Sequence, residues 1–221
     1  MKKRRIVSAL LCATMVGGLL AGCGGGDSKT KSDKETFALI VKSAGNPYNE
    51  KEAEGFKEII EGEGYNCIIK YPKKATADAQ IKMVEELIAQ NVDSIAIAGN
   101  DQNALEPILT EAMDKGIKVS CLDSSVNADS RMTFVNQAGI TEIGTTLMDA
   151  ILDISGGEGK WAILSATSTA TNQNSWIDAM KEVMKDSKYS KLELVEVAYG
   201  DDEYQKSVDQ TQALLQNYPD L

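Results

Sequence analysis

From residue 36 to the end of the chain, short β-branched runs alternate with longer amphipathic segments, and this alternation restricts the fold more than any other feature. In the first part of the chain the runs lie at residues 37–41, 67–69, 94–97, 117–122 and 132–135. Strands that alternate with helices form right-handed βαβ crossovers, which build a parallel sheet with helices on both faces. The pattern therefore predicts a doubly wound α/β lobe over residues 36–137.

The segments between the runs carry apolar side chains at helical spacing. In the first segment these are Ala53, Phe56, Ile59 and Ile60, which we expect to face the sheet. Helix boundaries are also marked in the sequence. Asn46-Pro47 predicts a helix that starts near Tyr48, Gly64 and Gly116 predict helix ends, and Asp78 and Asn103 predict N-caps.

A second block follows and predicts part of a second α/β lobe over residues 138–221. Strands are expected at residues 161–164 and 192–198, and the last helix is expected to bury Val208, Thr211, Leu215 and Tyr218. Two parallel strands do not form a sheet that is stable by itself. We therefore interpret the chain as the amino-terminal part of a longer two-lobed protein, with the second lobe incomplete.

The first 22 residues have the pattern of a secretory signal peptide. Residues 2–5 are basic, and an apolar run follows that is too short and too rich in glycine for a stable membrane span. The run ends in Leu20-Ala21-Gly22-Cys23, which resembles the lipobox of bacterial lipoproteins. That resemblance implies that Cys23 is acylated and becomes the first residue of the mature chain. The alternative is an ordinary signal peptide with an incidental cysteine.

Residues 24–34 contain only Gly, Ser, Thr, Asp and Lys, a composition typical of a flexible tether. We therefore expect a lipidated cysteine and tether over residues 23–35. The protein would be extracytoplasmic, lipid-anchored to the outer face of the bacterial cell membrane or periplasmic. Cys67 and Cys121 lie in apolar, strand-like stretches and are expected to be buried free thiols, although the sequence leaves a disulfide between them open.

Composition favours binding over catalysis. The chain has no histidine, which removes Ser-His-Asp and Cys-His nucleophiles, His-ligated zinc and the commonest general base. The formal net charge of −10 argues against a nucleic-acid partner, because phosphates attract basic surfaces. We accordingly expect no catalytic residues, no metal and no cofactor. An enzyme that uses Asp101 or Asp123 as a carboxylate base remains an alternative, and it would turn over the bound molecule.

Polar residues cluster where the predicted strands end. The clusters are residues 42–49, 99–103, 123–125, 136–137 and 171–176, the last read as a loop. In an open parallel sheet, ligands bind beyond the carboxyl ends of the strands. A polyol, whose hydroxyls both donate and accept, suits Asp, Asn, Gln and Lys beside an aromatic wall. The acidic run 201–203 could attract a cation, but a match to the dipole of the following helix is the simpler interpretation.

These residues carry a family resemblance that covers residues 36–221. The segments KSAGNPY, LDSS and FVNQ, in this order after a lipobox and a tether, resemble the substrate-binding lipoproteins of sugar ABC transporters, which have the type 1 periplasmic-binding-protein fold. The segments TNQNSW and YGDDEYQKSVDQTQALLQNYPDL resemble the subgroup that binds rhamnose or autoinducer-2. The resemblance implies two lobes joined by three crossing strands, of which the first lies near residues 136–139.

The resemblance also implies roles for individual residues. Lys42 would donate to ligand hydroxyls, Asp123 would accept from two of them, and Asn172 and Gln173 would close over the ligand from the second lobe. The weaker candidates are Asn46 and Tyr48 in the first loop and Asn100 and Asp101 in the third. Autoinducer-2 binders have Asp where this chain has Asn172, a difference that favours a neutral sugar. Further contacts are expected from residues beyond Leu221.

The function that the resemblance implies is binding without chemistry. A sugar would be held between the lobes, favour their closed arrangement and be delivered to the membrane subunits of an ABC permease. The protein would act as a monomer. The main alternative is a receptor of the same fold for an autoinducer-2-type signal. A transcription-regulator core also shares this fold, but the signal sequence and the acidic charge argue against it.

Overall fold

A computed structural model describes residues 34–221 of the chain. The predicted signal peptide, Cys23 and all but the end of the tether lie outside the described residues. The strands are β1 (Thr36–Ile40), β2 (Asn66–Lys70), β3 (Ser94–Ile97), β4 (Lys118–Leu122), β5 (Thr133–Val135), β6 (Gly159–Ser165) and β7 (Leu192–Tyr199). The helices are α1 (Pro47–Gly62), α2 (Ala77–Ala89), α3 (Gln102–Asp114), α4 (Ile140–Ile154), α5 (Thr171–Val183) and α6 (Tyr204–Asn217). Of these described helices, none combines the length and apolarity that crossing a membrane requires.

The strands form two parallel sheets. The larger has the order β2-β1-β3-β4-β5, and the smaller pairs β6 with β7. We call the layers built on the larger sheet the first lobe and those built on the smaller sheet the second lobe. The reversal of strand order at β1 is typical of doubly wound sheets, whose ligands bind beyond the carboxyl ends of the strands. The predicted α/β class is confirmed.

Apolar side chains cover both faces of the larger sheet. Along β1, Ala38 and Ile40 belong to one buried cluster, whereas Leu39 and Val41 belong to another. The first cluster packs against α2 and α3, and the second packs against α1. Because successive strand residues point to opposite faces, this division requires helices on both sides of the sheet.

The second lobe has one smaller buried cluster. Met148 of α4 and Met180 of α5 pack there with Trp161, Tyr189 and Leu192. The two helices approach closely because Gly144 has no side chain; a Cβ there would lie 2.7 Å from that of Ala179. This cluster packs α4 and α5 against the smaller sheet, and α6 also contacts both of its strands.

Several helix predictions need correction in detail. Ile59 is 65% exposed instead of facing the sheet. In α6 the buried residue is Leu214, while the predicted Leu215 is 57% exposed. In α1 the predicted Ala53 and Phe56 do pack inward, so only Ile59 at the edge of the stripe is wrong, whereas in α6 the inward position is one residue before the predicted Leu215.

The helix ends were predicted with mixed success. Asn46 caps α1, and Gly64 and Gly116 follow helices with positive φ, as expected. Thr76 and Asp101, two residues before the predicted Asp78 and Asn103, cap α2 and α3.

Both described cysteines are free, as expected. Cys121 is buried, but Cys67 is only half-buried.

Candidate functional site

A cavity of about 340 Å³ lies at the carboxyl ends of the strands and is lined by both lobes. Its volume is within the range of small-molecule sites. Every predicted ligand residue except Asp101 lines it. The complete lining is Lys42, Asn46, Tyr48, Asn49, Ala75, Asn100, Asp123, Gln137, Ala166, Thr167, Asn172, Gln173, Trp176 and Asp202. We call this cavity the cleft.

Lys42 and Asp123 place a buried charge of each sign on the first-lobe side of the cleft. Lys42 follows β1 and Asp123 follows β4, and each is only 7% exposed. Burial lowers the pKa of Lys42, while Asp123, Asp202 and Glu52 act in the opposite direction. Burial raises the pKa of Asp123, while Lys42 and hydrogen bonds from Gln137, Asn172 and Tyr48 oppose that shift. Each charge therefore offsets part of the desolvation cost of the other.

Asn172 joins these two charges across the lobes. Its Oδ1 accepts from Lys42 Nζ at 2.9 Å, and its Nδ2 donates to the Asp123 oxygens at 3.2 and 3.3 Å. Gln137 Nε2 donates to Asp123 Oδ1 at 3.0 Å. An amide fits this position because it offers an acceptor to the ammonium group and a donor to the carboxylate at the same time.

Asn172 and Gln173 lie in the first turn of α5, and not in the loop that we predicted. The helix begins at Thr171, and Trp176 lies in its second turn. Gln173 Oε1 accepts from Ser165 Oγ at 2.7 Å and from the Ala166 amide at 2.8 Å, which ties the helix to the end of β6.

Asn100 is held by Gln80, a residue that sequence reasoning missed. Gln80 Nε2 donates to the carbonyls of Val41 and Ala98 at 3.2 and 2.7 Å, and its Oε1 accepts from the Asn100 amide at 2.9 Å. Asn100 Nδ2 in turn donates to the Lys42 carbonyl at 2.9 Å. The buried Asn100 Oδ1 has no hydrogen-bond partner among the described residues.

Asn46 and Tyr48 lie at the start of α1. Asn46 Oδ1 accepts from the Tyr48 amide at 3.0 Å, and its Nδ2 faces Asp202 of the second lobe. Tyr48 is about half-exposed. Partial burial and the nearby carboxylates of Asp123 and Glu52 raise the pKa of Tyr48 to about 12, so its hydroxyl remains protonated at neutral pH.

Asp101 does not line the cleft. Its Oδ1 accepts from the amides of Asn103 and Ala104 at 2.9 and 3.1 Å, which makes it the N-cap of α3. The capping preference of Asp explains its position after β3 without a ligand.

Glu52 is a further carboxyl group beside the cleft that the sequence did not reveal. It lies one helical turn after Tyr48, and its Oε2 is buried with no hydrogen-bond partner among the described residues. Burial, with a contribution from Asp123, raises the pKa of Glu52 to about 7, against the influence of Lys42. Helical spacing from Tyr48 was the available signal.

Asp202 has a second contact that the sequence did not indicate. Helix α6 begins at Tyr204, so Asp201 and Asp202 precede it in a turn, and both have positive φ. Asp202 also bonds Ser43 and Asn46 of the first lobe, a contact that the interpretation as a dipole match did not include. Over the described residues, no group of His, Cys, Asp or Glu side chains has an arrangement suited to a metal ion.

Comparison with known proteins identifies a protein family and a similar solved structure. The sequence model of the family described as "Periplasmic binding protein domain" matches residues 37–221. A crystal structure of an ABC transporter solute-binding protein from Clostridium phytofermentas with bound L-rhamnose is 63% identical, with a TM-score of 0.83; the match covers 86% of this chain and 59% of that one.

Two more distant relatives are similar over the same region. A solute-binding protein from Burkholderia graminis in complex with D-arabinose is 26% identical, with a TM-score of 0.79, and the match covers 86% of this chain and 65% of that one. The D-ribose/D-allose-binding protein of Pseudomonas aeruginosa is 26% identical over 86% of this chain and 58% of its own length. The chain thus spans between 58% and 65% of these relatives.

Proposed function

Because the chain belongs to the periplasmic binding protein domain family, we propose that it is the solute-binding component of an ABC importer and binds a neutral sugar in the cleft. The observation that carries this proposal is the cleft itself. Side chains of both lobes line one cavity, and Lys42, Asn172 and Asp123 link the lobes through hydrogen bonds. A ligand that replaces these contacts would hold both lobes at once.

The chemistry of the lining suits a polyol. Asp123 supplies two acceptor oxygens, and Lys42 supplies a donor; both are pre-positioned by burial. Asn100 Oδ1 is an acceptor that a ligand hydroxyl would satisfy, since a buried acceptor without a partner is unfavourable. Gln173 Oε1 is engaged by β6, which leaves its amide nitrogen for the ligand. Trp176 offers an apolar surface for a sugar ring.

L-rhamnose is the first ligand to test. The solved relative with bound L-rhamnose is 63% identical, well above the 26% of the relative with D-arabinose. Asn172, where autoinducer-2 binders have Asp, also supports a neutral sugar over the autoinducer-2-type alternative.

In this proposal the protein delivers its ligand unchanged. Ligand binding favours closure of the lobes, and the closed form docks on the permease subunits of the membrane. No catalytic step, metal or cofactor is involved. The protein acts as a monomer outside the cytoplasm, and the lipid on Cys23 anchors it to the outer face of the membrane. One acyl chain anchors weakly, so firm attachment requires two or more.

A thermal-shift screen tests the proposal. The panel contains L-rhamnose, ribose, xylose, glucose, galactose and autoinducer-2. A ligand at 100 times its Kd adds about 2.7 kcal/mol of stability, which corresponds to a shift of about 5–10 °C. We expect a sugar to raise the melting temperature of the wild type but not that of Asp123→Asn. Asp101→Asn is the control, because Asp101 lies outside the cleft and Asn can also cap the helix, so its shift should be retained. A shift with autoinducer-2 alone would assign the protein to signalling, and no shift with any sugar would contradict the proposal.

A further inference from the structure

Asp202 lines the cleft from the second lobe, but its hydrogen bonds go to the first lobe. Ser43 Oγ donates to Asp202 Oδ2 at 2.5 Å, and Asn46 Nδ2 lies 3.3 and 3.4 Å from the two carboxylate oxygens. Ser43 and Asn46 belong to residues 42–49, which include Lys42 after β1 and Tyr48 at the start of α1 and which we call the ligand loop. One carboxylate of the second lobe therefore contacts two side chains of the first lobe's ligand loop.

The turn that carries Asp202 is firmly attached to the second lobe. The amides of Gly200 and Asp201 donate to the carbonyls of Ser165 and Ala166, each at 2.8 Å. Asp201 and Asp202 have φ of 54° and 59°, in the left-handed region that residues other than Gly, Asn and Asp rarely adopt. The end of β6 and the turn thus form one unit.

The two adjacent aspartates of this turn have different partners. Asp201 forms an ion pair with Lys206 of its own lobe, whereas Asp202 contacts the first lobe. Both are aspartates with the same left-handed backbone conformation, and they are neighbours in the chain. This pair is a natural control for the effect of a contact between the lobes.

The first-lobe partners of Asp202 organise the loop. Asn49 Nδ2 donates to the Ser43 carbonyl at 2.9 Å and contacts its Oγ at 3.3 Å. Asn46 uses its Oδ1 to cap α1 at Tyr48 while its Nδ2 faces Asp202. Without the carboxylate, the Ser43 hydroxyl and the Asn46 amide would lose the acceptor that fixes their orientation.

We propose that Asp202 is a positioning residue of the cleft, which acts on the ligand through Ser43 and Asn46. Docking of the second lobe brings its carboxylate to the ligand loop, and the loop then holds Asn46 and Tyr48 in the arrangement that lines the cavity. Closure of the lobes and completion of the site are thereby coupled. The effect on affinity rests on the proposed sugar binding, whereas the order of the loop depends on the contacts of Asp202 with Ser43 and Asn46 themselves.

The first test measures that order directly. Amide hydrogen exchange of residues 43–49 is followed without ligand in the wild type, Asp202→Asn and Asp201→Asn. Asparagine tolerates the left-handed conformation, so both variants keep the turn. We expect exchange of the loop to accelerate about tenfold in Asp202→Asn, in line with the loss of a charged hydrogen bond, and to remain unchanged in Asp201→Asn. Equal exchange in all three proteins would overturn the proposal.

The second test separates positioning from direct contact with the ligand. Calorimetric affinities for L-rhamnose are measured for Asp202→Asn, Ser43→Ala and the double variant. Asp202→Asn should weaken binding about tenfold, and Ser43→Ala should add little to it, because both remove the same contact. Fully additive losses would overturn the positioning role. If no protein binds L-rhamnose while the exchange difference is present, the choice of ligand is wrong and the positioning role stands.

Discussion

In each lobe a glutamine side chain bonds groups at the end of a strand near the cleft, but the two glutamines differ in burial and in the number of groups they bond. In the first lobe, the fully buried Gln80 bonds three backbone groups at the ends of β1 and β3. In the second lobe, the half-buried Gln173 bonds one amide and one hydroxyl at the end of β6. The first lobe also surrounds its sheet with two apolar clusters, whereas the second has one.

The residues that line the cleft are held differently in the two lobes. Lys42 and Asp123 are fixed within a five-stranded sheet and its helices. Asn172 of the second lobe bonds both of these side chains, and Asp202 of the second lobe bonds Ser43. These hydrogen bonds hold both lobes, so the lobes differ in the packing behind the site, with two apolar clusters in the first lobe and one in the second.

Gln80→Leu should have the largest effect on stability. It leaves the carbonyls of Val41 and Ala98 and the amide of Asn100 without partners, which costs about 4 kcal/mol in the free energy of unfolding. Denaturant unfolding measures the loss. Gln90→Leu makes the same chemical change at the exposed residue that follows the same helix and should alter stability little. Equal effects of the two variants would show that Gln80 does not brace the strand ends.

Stability should also fall as the pH rises, because of the buried carboxyl of Glu52. Burial raises its pKa from 4.5 to about 7, so the folded state binds a proton more tightly than the unfolded state does. Its unfavourable contribution is absent below pH 4.5, grows between pH 4.5 and 7, and is complete above pH 7. After allowance for solvent screening, the loss is about 1–2 kcal/mol.

Glu52→Gln removes this part of the pH dependence and should stabilise the protein at pH 8. Unfolding curves at several pH values between 4.5 and 8 provide the measurement. Glu58→Gln, on an exposed position of the same helix, is the matched control. A profile that is the same in Glu52→Gln and in the wild type would refute the assignment. Burial also raises the pKa of Asp123, so we expect some dependence of stability on pH to remain in Glu52→Gln.

The smallest effect is expected for Gln173→Leu in the second lobe. Its loss leaves the Ala166 amide and the Ser165 hydroxyl without an acceptor at a half-buried site, at a cost of about 1 kcal/mol. Gln212→Leu on the exposed side of α6 serves as the reference. A loss as large as that of Gln80→Leu would remove the contrast between the lobes.

The sequence predicted what depends on local pattern. The β-branched runs located every strand of the larger sheet, and the rule that ligands bind at strand ends located Lys42, Asn100 and Asp123. Asp101 satisfied the same rule but caps a helix, because Asp after a strand serves both purposes. Residue type and position alone could not separate the two roles.

What the sequence did not predict depends on distance in three dimensions. Gln80 resembles any polar residue of a helix until the ends of β1 and β3 are placed beside it. Asp202 was interpreted only as a match to a helix dipole, because its contact with Ser43 depends on how the turn is placed in three dimensions. The phase error at Leu215 arose because few apolar residues define the inward face of α6.

Calorimetric titration with L-rhamnose tests most directly the claim that both lobes hold one sugar. The wild type is compared with one variant on each side of the cleft, Asp123→Asn in the first lobe and Asn172→Leu in the second. We expect one binding site in the wild type and a loss of affinity of about a hundredfold in either variant, since each removes a hydrogen bond that involves a charged group. Wild-type affinity in either variant, or no binding by the wild type to L-rhamnose or any other sugar of the panel, would contradict it.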